Sequence, residues 1–273
     1  MCSVLKVSRS GFYGWLKRPK NERDKENEMI LKAIKDIREK QPKKRVYGSP
    51  RLTMELNDMG LLCGKNRVAR IMNNNDIRAK TKKKFKQTTD SQHKYPIAPN
   101  LLAGEFKVSA QDKVYVTDIT YIWTAEGWMY LAVVLDLFSR MVVGWTMNSR
   151  MTRELVIEAL NKAIISRNPG KDLIVHSDKG SQYASHDYRA LLANHGFRQS
   201  MSGKGNCYDN AVMESFFHTM KTEWVFFEKY QTRKQAKTSV FDYIETFYNR
   251  ERRHSTLGYM SPWNYEKKYS KAV

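Results

Sequence analysis

Cysteine is scarce in this 273-residue chain: Cys2, Cys63 and Cys207 stand far apart, odd in number and without a CxxC pair. That argues against a disulfide framework and gives no cysteine pair for zinc, and it fits a reducing cytoplasm. Long apolar runs are also missing. The longest, the block at residues 129–134, is interrupted soon after by Asp136, well short of the ~18 residues a membrane span needs. No apolar segment near the first residue makes a secretory signal. Acidic side chains are few, 28 Asp/Glu against 48 Lys/Arg, and the net charge is +20. Solubility does not require such an excess; it implies a polyanionic partner, with a merely basic, ribosomal-type protein as the bland alternative. A membrane surface fits less well, because no basic stretch accompanies a long apolar helical face. Residues 1–90 hold 24 Lys/Arg and 10 Asp/Glu, so +14 of the charge sits in the first third. What is present in ordinary amount is apolar sequence, 41%. That suffices for one packed domain with one or two small ones.

The first third reads as helical. Ser8 caps a short helix carrying Phe12, Trp15 and Leu16, which Pro19 ends. A second helix at 22–40 puts Met29, Ile30, Ala33 and Ile37 on one stripe. Residues 46–80 look like a helix-turn-helix: Ser49-Pro50 starts one helix with Leu52, Met54 and Leu56, and Gly60 and Gly64 mark the turn. The following helix, 65–74, buries Val68, Ile71 and Met72 and turns Lys65, Arg67 and Arg70 outward, an arrangement for a DNA groove or a phosphate clamp. A plain helical hairpin with a solvated basic face is the alternative. Lys82, Lys83 and Lys84 lie in a basic linker at 81–112, either along a phosphate backbone or as a solvated tether.

From residue 113 the texture becomes α/β. Strands are expected at 114–123, 129–137 and 141–147, then a helix at 152–166 and a buried strand at 173–176. A helix at 186–194, a strand at 198–201 and a long helix at 209–225 complete the core, and residues 231–273 read as a helical, basic extension. The segment 201–208, poor in apolar anchors and holding two glycines, reads as a loop that is either mobile or merely solvated.

Within this frame three acids stand out. Asp118 interrupts a β-forming run, where Asp is a poor choice. Asp178 follows a buried strand, at the end where ligand sites of open α/β sheets collect. Glu214 lies in an otherwise apolar helical segment. Singly, each has an ordinary reading: a solvated strand face, a turn, a helix surface. Together they form a spacing, because thirty-five residues separate Asp178 from Glu214 and Lys221 stands seven beyond, two turns along the same helical face. Asp136 is the decoy acid, assigned to a strand-end turn.

This spacing resembles the D, D(35)E signature of retroviral-integrase-like transposases. The words Tyr47-Gly48-Ser49-Pro50-Arg51, Asp118-Ile119-Thr120-Tyr121, His176-Ser177-Asp178-Lys179-Gly180-Ser181-Gln182-Tyr183, Asp209-Asn210-Ala211 and Glu214-Ser215-Phe216-Phe217 narrow the likeness. With Tyr248-Asn249, Arg253-His254 and Leu257-Gly258-Tyr259 they resemble the second-frame transposases of bacterial insertion sequences with two overlapping reading frames. The resemblance implies a ribonuclease-H-like catalytic core, a mixed five-stranded sheet flanked by helices, preceded by a small all-α region. It implies Asp118, Asp178 and Glu214 as ligands of two Mg²⁺, with Mn²⁺ as a substitute, for DNA cleavage and strand transfer. Lys221 would then meet the DNA end, and His176, Gln182 and Tyr183 would shape the site. Arg253 and His254 belong to a basic C-terminal patch with Arg250 and Arg252, serving DNA or packing. Residues 5–13 resemble the second half of a helix-turn-helix, so residues 1–45 are expected to hold a partial unit. The expected partners are terminal-repeat and target DNA, further copies of this chain, and an upstream-frame protein or fusion; the expected location is the bacterial nucleoid. A DNA-binding repressor and a purely hydrolytic nuclease are the rival readings.

Overall fold

In the larger unit the core is organised by one long strand, β1 (Val114–Thr124), whose side chains alternate between the two faces of a sheet. The computed structural model describes residue 2 and residues 4–81, 96–104, 108–203 and 210–269. Lys82, Lys83 and Lys84, and most of the loop expected at 201–208, lie outside the described residues. Contacts divide the chain into two units, residues 1–80 and 81–273.

In the first unit, α1 (Arg9–Lys17) is capped by Ser8, whose Oγ accepts from Gly11 N at 3.0 Å, but none of its residues is buried. The next helix, α2 (Glu22–Lys40), buries Ile30, Ala33, Ile34 and Ile37. Met29 is exposed, so the stripe runs one position later than expected, with Ile34 in its place. It packs on α3 (Ser49–Asp58) and α4 (Lys65–Asn74), which bury Leu52, Thr53 and Leu56, and Val68, Ile71 and Met72. Gly60, at φ +85°, turns the chain after α3 in a conformation that favours glycine.

In the second unit β1 pairs antiparallel with β2 (Gly127–Asp136), which pairs antiparallel with β3 (Val142–Asn148). On its other side β1 meets β4 (Ile174–Ser177) in parallel, and β4 meets β5 (Arg198–Met201), giving the order β3-β2-β1-β4-β5. One face is covered by α5 (Arg153–Arg167), α6 (Ser181–Ala184) and α7 (His186–Asn194). There Tyr115, Ala132, Val134 and Val175 pack against Leu155, Val156, Ala159 and Ala163. The approach of α5 to β3 is unusually close: a Cβ at Gly144 would stand 2.7 Å from Ala163 N and closer still to the Ala159 carbonyl.

After the sheet come α8 (Ala211–Glu223), α9 (Arg233–Phe241), a π-helical segment (Asp242–Tyr248) and α10 (Pro262–Tyr269). These are core: Tyr243, Ile244, Phe247 and Tyr248 are buried. Asn249 takes the place of a strand partner at the edge of β3, accepting from Val142 N at 3.0 Å and donating to Val142 O at 2.9 Å. Arg252, expected in a basic C-terminal patch serving DNA or packing, is buried and bidentate to Glu223 at 2.7 and 2.8 Å. Removing one partner of such a pair strands a buried charge, at a cost of about 3–5 kcal/mol.

Asp136 ends β2 fully buried, next to Ser139 Oγ at 2.9 Å. The same hydroxyl lies 2.7 Å from Glu266 Oε1, and Arg167 holds Glu266 through two 2.8 Å bonds. A hydroxyl has one proton for two carboxylates. Burial pushes Asp136 up to about 7, opposed by the Ser139 hydrogen bond and reinforced by the charges of Glu266 and Asp112. Ser139 donates to Asp136, and it is burial beside Glu266 that keeps a proton on the Asp136 carboxyl.

Two outcomes follow for stability. Gly144→Ala drives a methyl group into backbone atoms and lowers stability by about 1–3 kcal/mol, read from the denaturant midpoint. Asp136 keeps its proton in the folded chain at pH values where the unfolded chain, titrating near 4, has lost it. Stability therefore falls as pH rises from about 4 to about 7. Asp136→Asn removes this part of the slope, seen by comparing denaturant midpoints of the two proteins at pH 5 and pH 8.

Candidate active site

The register of two strands sets the site. Val116 pairs with His176 in the parallel β1–β4 ladder. Asp118 lies two residues further on in the middle of β1 and Asp178 just past the end of β4, so the parallel pairing brings the two acids near one another. Asp118 is half-buried, with Oδ1 accepting from Ile119 N at 2.7 Å and Oδ2 from Asn210 Nδ2 at 3.0 Å. Asp178 turns its Oδ1 back to accept from Gly180 N at 2.9 Å. A Cβ at Gly180 would stand 2.9 Å from that same oxygen and 3.1 Å from Gln182 Oε1, so glycine keeps the space that the carboxylate occupies.

Glu214 stands in the first turn of α8, exposed. Asn210 precedes that helix, accepts Glu214 N at 3.0 Å through its carbonyl, and reaches Asp118 with its side chain. It thereby ties the third acid's helix to the first acid. Sequence reading had Asn210 only as part of a motif; the signal for its role is its position one turn before Glu214. Lys221, two turns along, sets its ammonium 4.6 Å from the centre of the Tyr121 ring.

The electrostatics are those of crowded carboxylates. Burial holds Asp118 well above the ordinary carboxylate range; Asp178 and then Glu214 add to this, while the Ile119 hydrogen bond and Lys221 oppose it. Burial pulls the Lys221 ammonium below its usual value, with Asp118 opposing. Like charges held together in a low-dielectric setting are relieved by a divalent cation. A second feature fits such an ion: among the described residues, Asn210 Oδ1 is a buried acceptor oxygen with no hydrogen-bond partner. The donor set is all oxygen, as Mg²⁺ prefers. Among the described residues no three His, Cys, Asp or Glu side chains are drawn into a single coordination sphere.

The expected site-shaping residues take different places. Tyr183 is buried on the opposite face, five residues after Asp178, its hydroxyl 3.2 Å from Thr117 Oγ1. Burial raises this phenol well above its usual value, and the charges of Asp118 and Asp178 add to that. His176 is buried within the sheet, its Nδ1 2.8 Å from Ser200 Oγ on β5, the structural reading of that residue. Gln182 donates to Met151 O at 3.2 Å, bracing the turn after Asp178.

The basic residues divide. Lys65 and Arg70 are exposed on α4. Arg67 does not point outward as expected: it pairs with Glu26 at 2.8 Å and with Asn27 Oδ1 at 2.8 Å, because α2 runs alongside and supplies acceptors. His254 packs edge-on to Tyr248, its Nε2 3.2 Å from Arg252 Nη1, and Arg253 donates to Tyr259 O at 3.1 Å. Both serve the C-terminal packing.

Two segments match models of an integrase core domain, residues 109–207 and 195–262, and residues 24–85 match an HTH-like domain. A 31 kDa protein of insertion element IS600 from Shigella sonnei is 44% identical over 98% of this chain and 98% of its own length. Transposase InsF of insertion sequence IS3A from Escherichia coli K12 is 43% identical over 98% of this chain and 93% of its own length. A chain of the simian T-cell lymphotropic virus intasome overlays with a TM-score of 0.49 at 16% identity, covering 80% of this chain and 70% of that one. The geometry yields a direct check. Gly180→Ala displaces the Asp178 carboxylate; if that carboxylate is a metal ligand, Mn²⁺ affinity in a calorimetric titration falls about 10- to 100-fold from that of the unaltered chain, as for other ligand-orienting contacts, with the unfolding midpoint little changed.

Proposed function

Because the chain belongs to the insertion-sequence transposases with an integrase core, the family of the InsF proteins, we propose that it cuts and joins DNA by phosphoryl transfer at Asp118, Asp178 and Glu214. The family is one of polynucleotidyl transferases, and the observation that supports the residue assignment is the convergence on Asp118, where the β1–β4 ladder brings up the chain just before Asp178 and Asn210 ties in the helix of Glu214. The three carboxylates would hold two Mg²⁺ or Mn²⁺, which when bound supply activation of the attacking oxygen and neutralisation of charge at phosphorus.

The chain's own residues do the positioning. Asp118 is fixed by Ile119 and Asn210, and Asp178 by Gly180, so neither side chain must be ordered at the moment of reaction. Lys221 gives a cation within electrostatic reach of Asp118, placed to hold a phosphate of the bound strand. Water first attacks the phosphodiester at the element's end, in line with the departing 3′ oxygen. The freed 3′-hydroxyl then attacks a second phosphodiester in target DNA, so the number of phosphodiester bonds is conserved in the joining step. Lys65 and Arg70 on the exposed face of α4 supply phosphate contacts away from the site, and copies of the chain assemble on paired ends.

Asp118→Asn, Asp178→Asn and Glu214→Gln each abolish joining of labelled element ends to target DNA while leaving gel-shift binding largely intact. Joining retained in any of the three overturns the assignment, and cleavage without joining in the unaltered chain would mark a hydrolytic nuclease instead.

A further inference from the structure

Beside the carboxylates the molecule opens a second cavity, of about 770 Å³, that the reaction outlined above does not use. One wall is the far end of the β1–β2 hairpin, with Tyr121, Trp123 and Trp128; the other is the segment after α8, with Phe226 and Lys229. The three hairpin rings meet edge to face, Tyr121 with Trp128 at 5.1 Å and Trp123 with Trp128 at 4.8 Å between centres. Trp123 is 59% exposed and Trp128 45%. Two indoles left open to water are costly unless something covers them. Lys221 belongs to both places: it lines this cavity, and it acts on the charge of Asp118.

The chemistry of the walls selects an occupant. Aromatic faces flanked by ammonium groups suit a flat aromatic group attached to an anion, and the cationic rim outweighs the single acid, Glu228. A nucleotide has that form, and a cavity of several hundred Å³ has room for one. A base within a duplex cannot offer its face to a side cavity, so the base must be unpaired. We propose that this cavity stacks an unpaired nucleobase of the DNA strand whose phosphate is held at Lys221, keeping the strand end open beside Asp118, Asp178 and Glu214. This rests on the reading of the site as one that acts on DNA ends. Stacking of this kind tolerates any base, so the cavity acts on the state of the end and not on its sequence.

The test separates the two readings because it needs no catalysis. The full chain carrying Asp118→Asn is titrated, at one fixed salt concentration, with a blunt fluorescent duplex and with the same duplex ending in two unpaired thymines. The expected result is tighter binding of the open end by about tenfold, the size of one aromatic–base stack. Trp123→Ala combined with Trp128→Ala abolishes that preference and keeps the affinity for the blunt duplex, whereas Trp123→Phe, which retains a stacking ring, preserves it. The proposal is overturned if the open end is not preferred. It is equally overturned if the double variant keeps the preference, or loses affinity for both DNAs alike, or changes only its self-association, as a protein occupant would require. Joining activity in Asp118→Asn itself would strike down the catalytic assignment and leave the binding preference to be judged separately.

Discussion

Two carboxylates repel one another, and the parallel pairing of β1 with β4 is what holds them together. A slip of one residue in that ladder would send either Asp118 or Asp178 to the opposite face of the sheet. The register is therefore the constraint that the rest of the core serves. It is reinforced from the back by Tyr115 and Val175 in the cluster under α5, and by the Tyr183 hydroxyl against Thr117. On β4's other side, His176 reaches across to Ser200 of β5. The burial that makes the ladder rigid also raises Asp118 out of the ordinary carboxylate range. Stability and function thus draw on the same surroundings in opposite directions, as functional sites commonly do.

The third acid is held by different means. Glu214 is not on the sheet, so α8 has to be fixed relative to it. At the first turn this is done by Asn210, whose amide joins Asp118. At the last turn it is done by Glu223, locked to Arg252. Between them Phe216 packs edge-on to Tyr248 at 4.7 Å, and just past the helix Trp224 stacks near Phe247. The segment after α8 is in this sense the back of the active site, since it anchors the helix and leaves Glu214 itself in solvent. Anchored ends permit a rotamer change of the exposed Glu214 without a helix movement.

The strands and most helices were legible because they carry their own period: 186–194 and 198–201 read from the sequence coincide with α7 and β5. The three acids were legible through their spacing and the words around them. What was not legible depends on partners distant in the chain. Arg67 has the same look as Lys65 and Arg70 until α2 is laid against it. Arg252 reads as one of a run of surface cations until Glu223, twenty-nine residues earlier, is brought to it. Asp136, taken for a strand-end turn, does end its strand, but its burial and its hydrogen bond to the Ser139–Glu266 pair are set by α10, which no local pattern announces. Met29 against Ile34 is a smaller case of the same kind, decided by where α3 and α4 press on α2.

Lys221 shows how these levels meet in one side chain. Its place in the sequence, seven beyond Glu214, puts it on the same face of α8 two turns away. Its place in the fold brings the ammonium over Tyr121, where the ring face attracts it while burial disfavours its charge. An ammonium so placed is short of water and near Asp118, whose oxygens accept from Ile119 and Asn210. A phosphate arriving there meets a cation already stripped of part of its hydration, so less must be lost on binding than at an exposed lysine such as Lys65. The same Tyr121 ring forms part of the aromatic wall beyond. The step from carboxylates to cation to rings is therefore continuous along the surface, in the order in which a nucleotide presents its phosphate and its base.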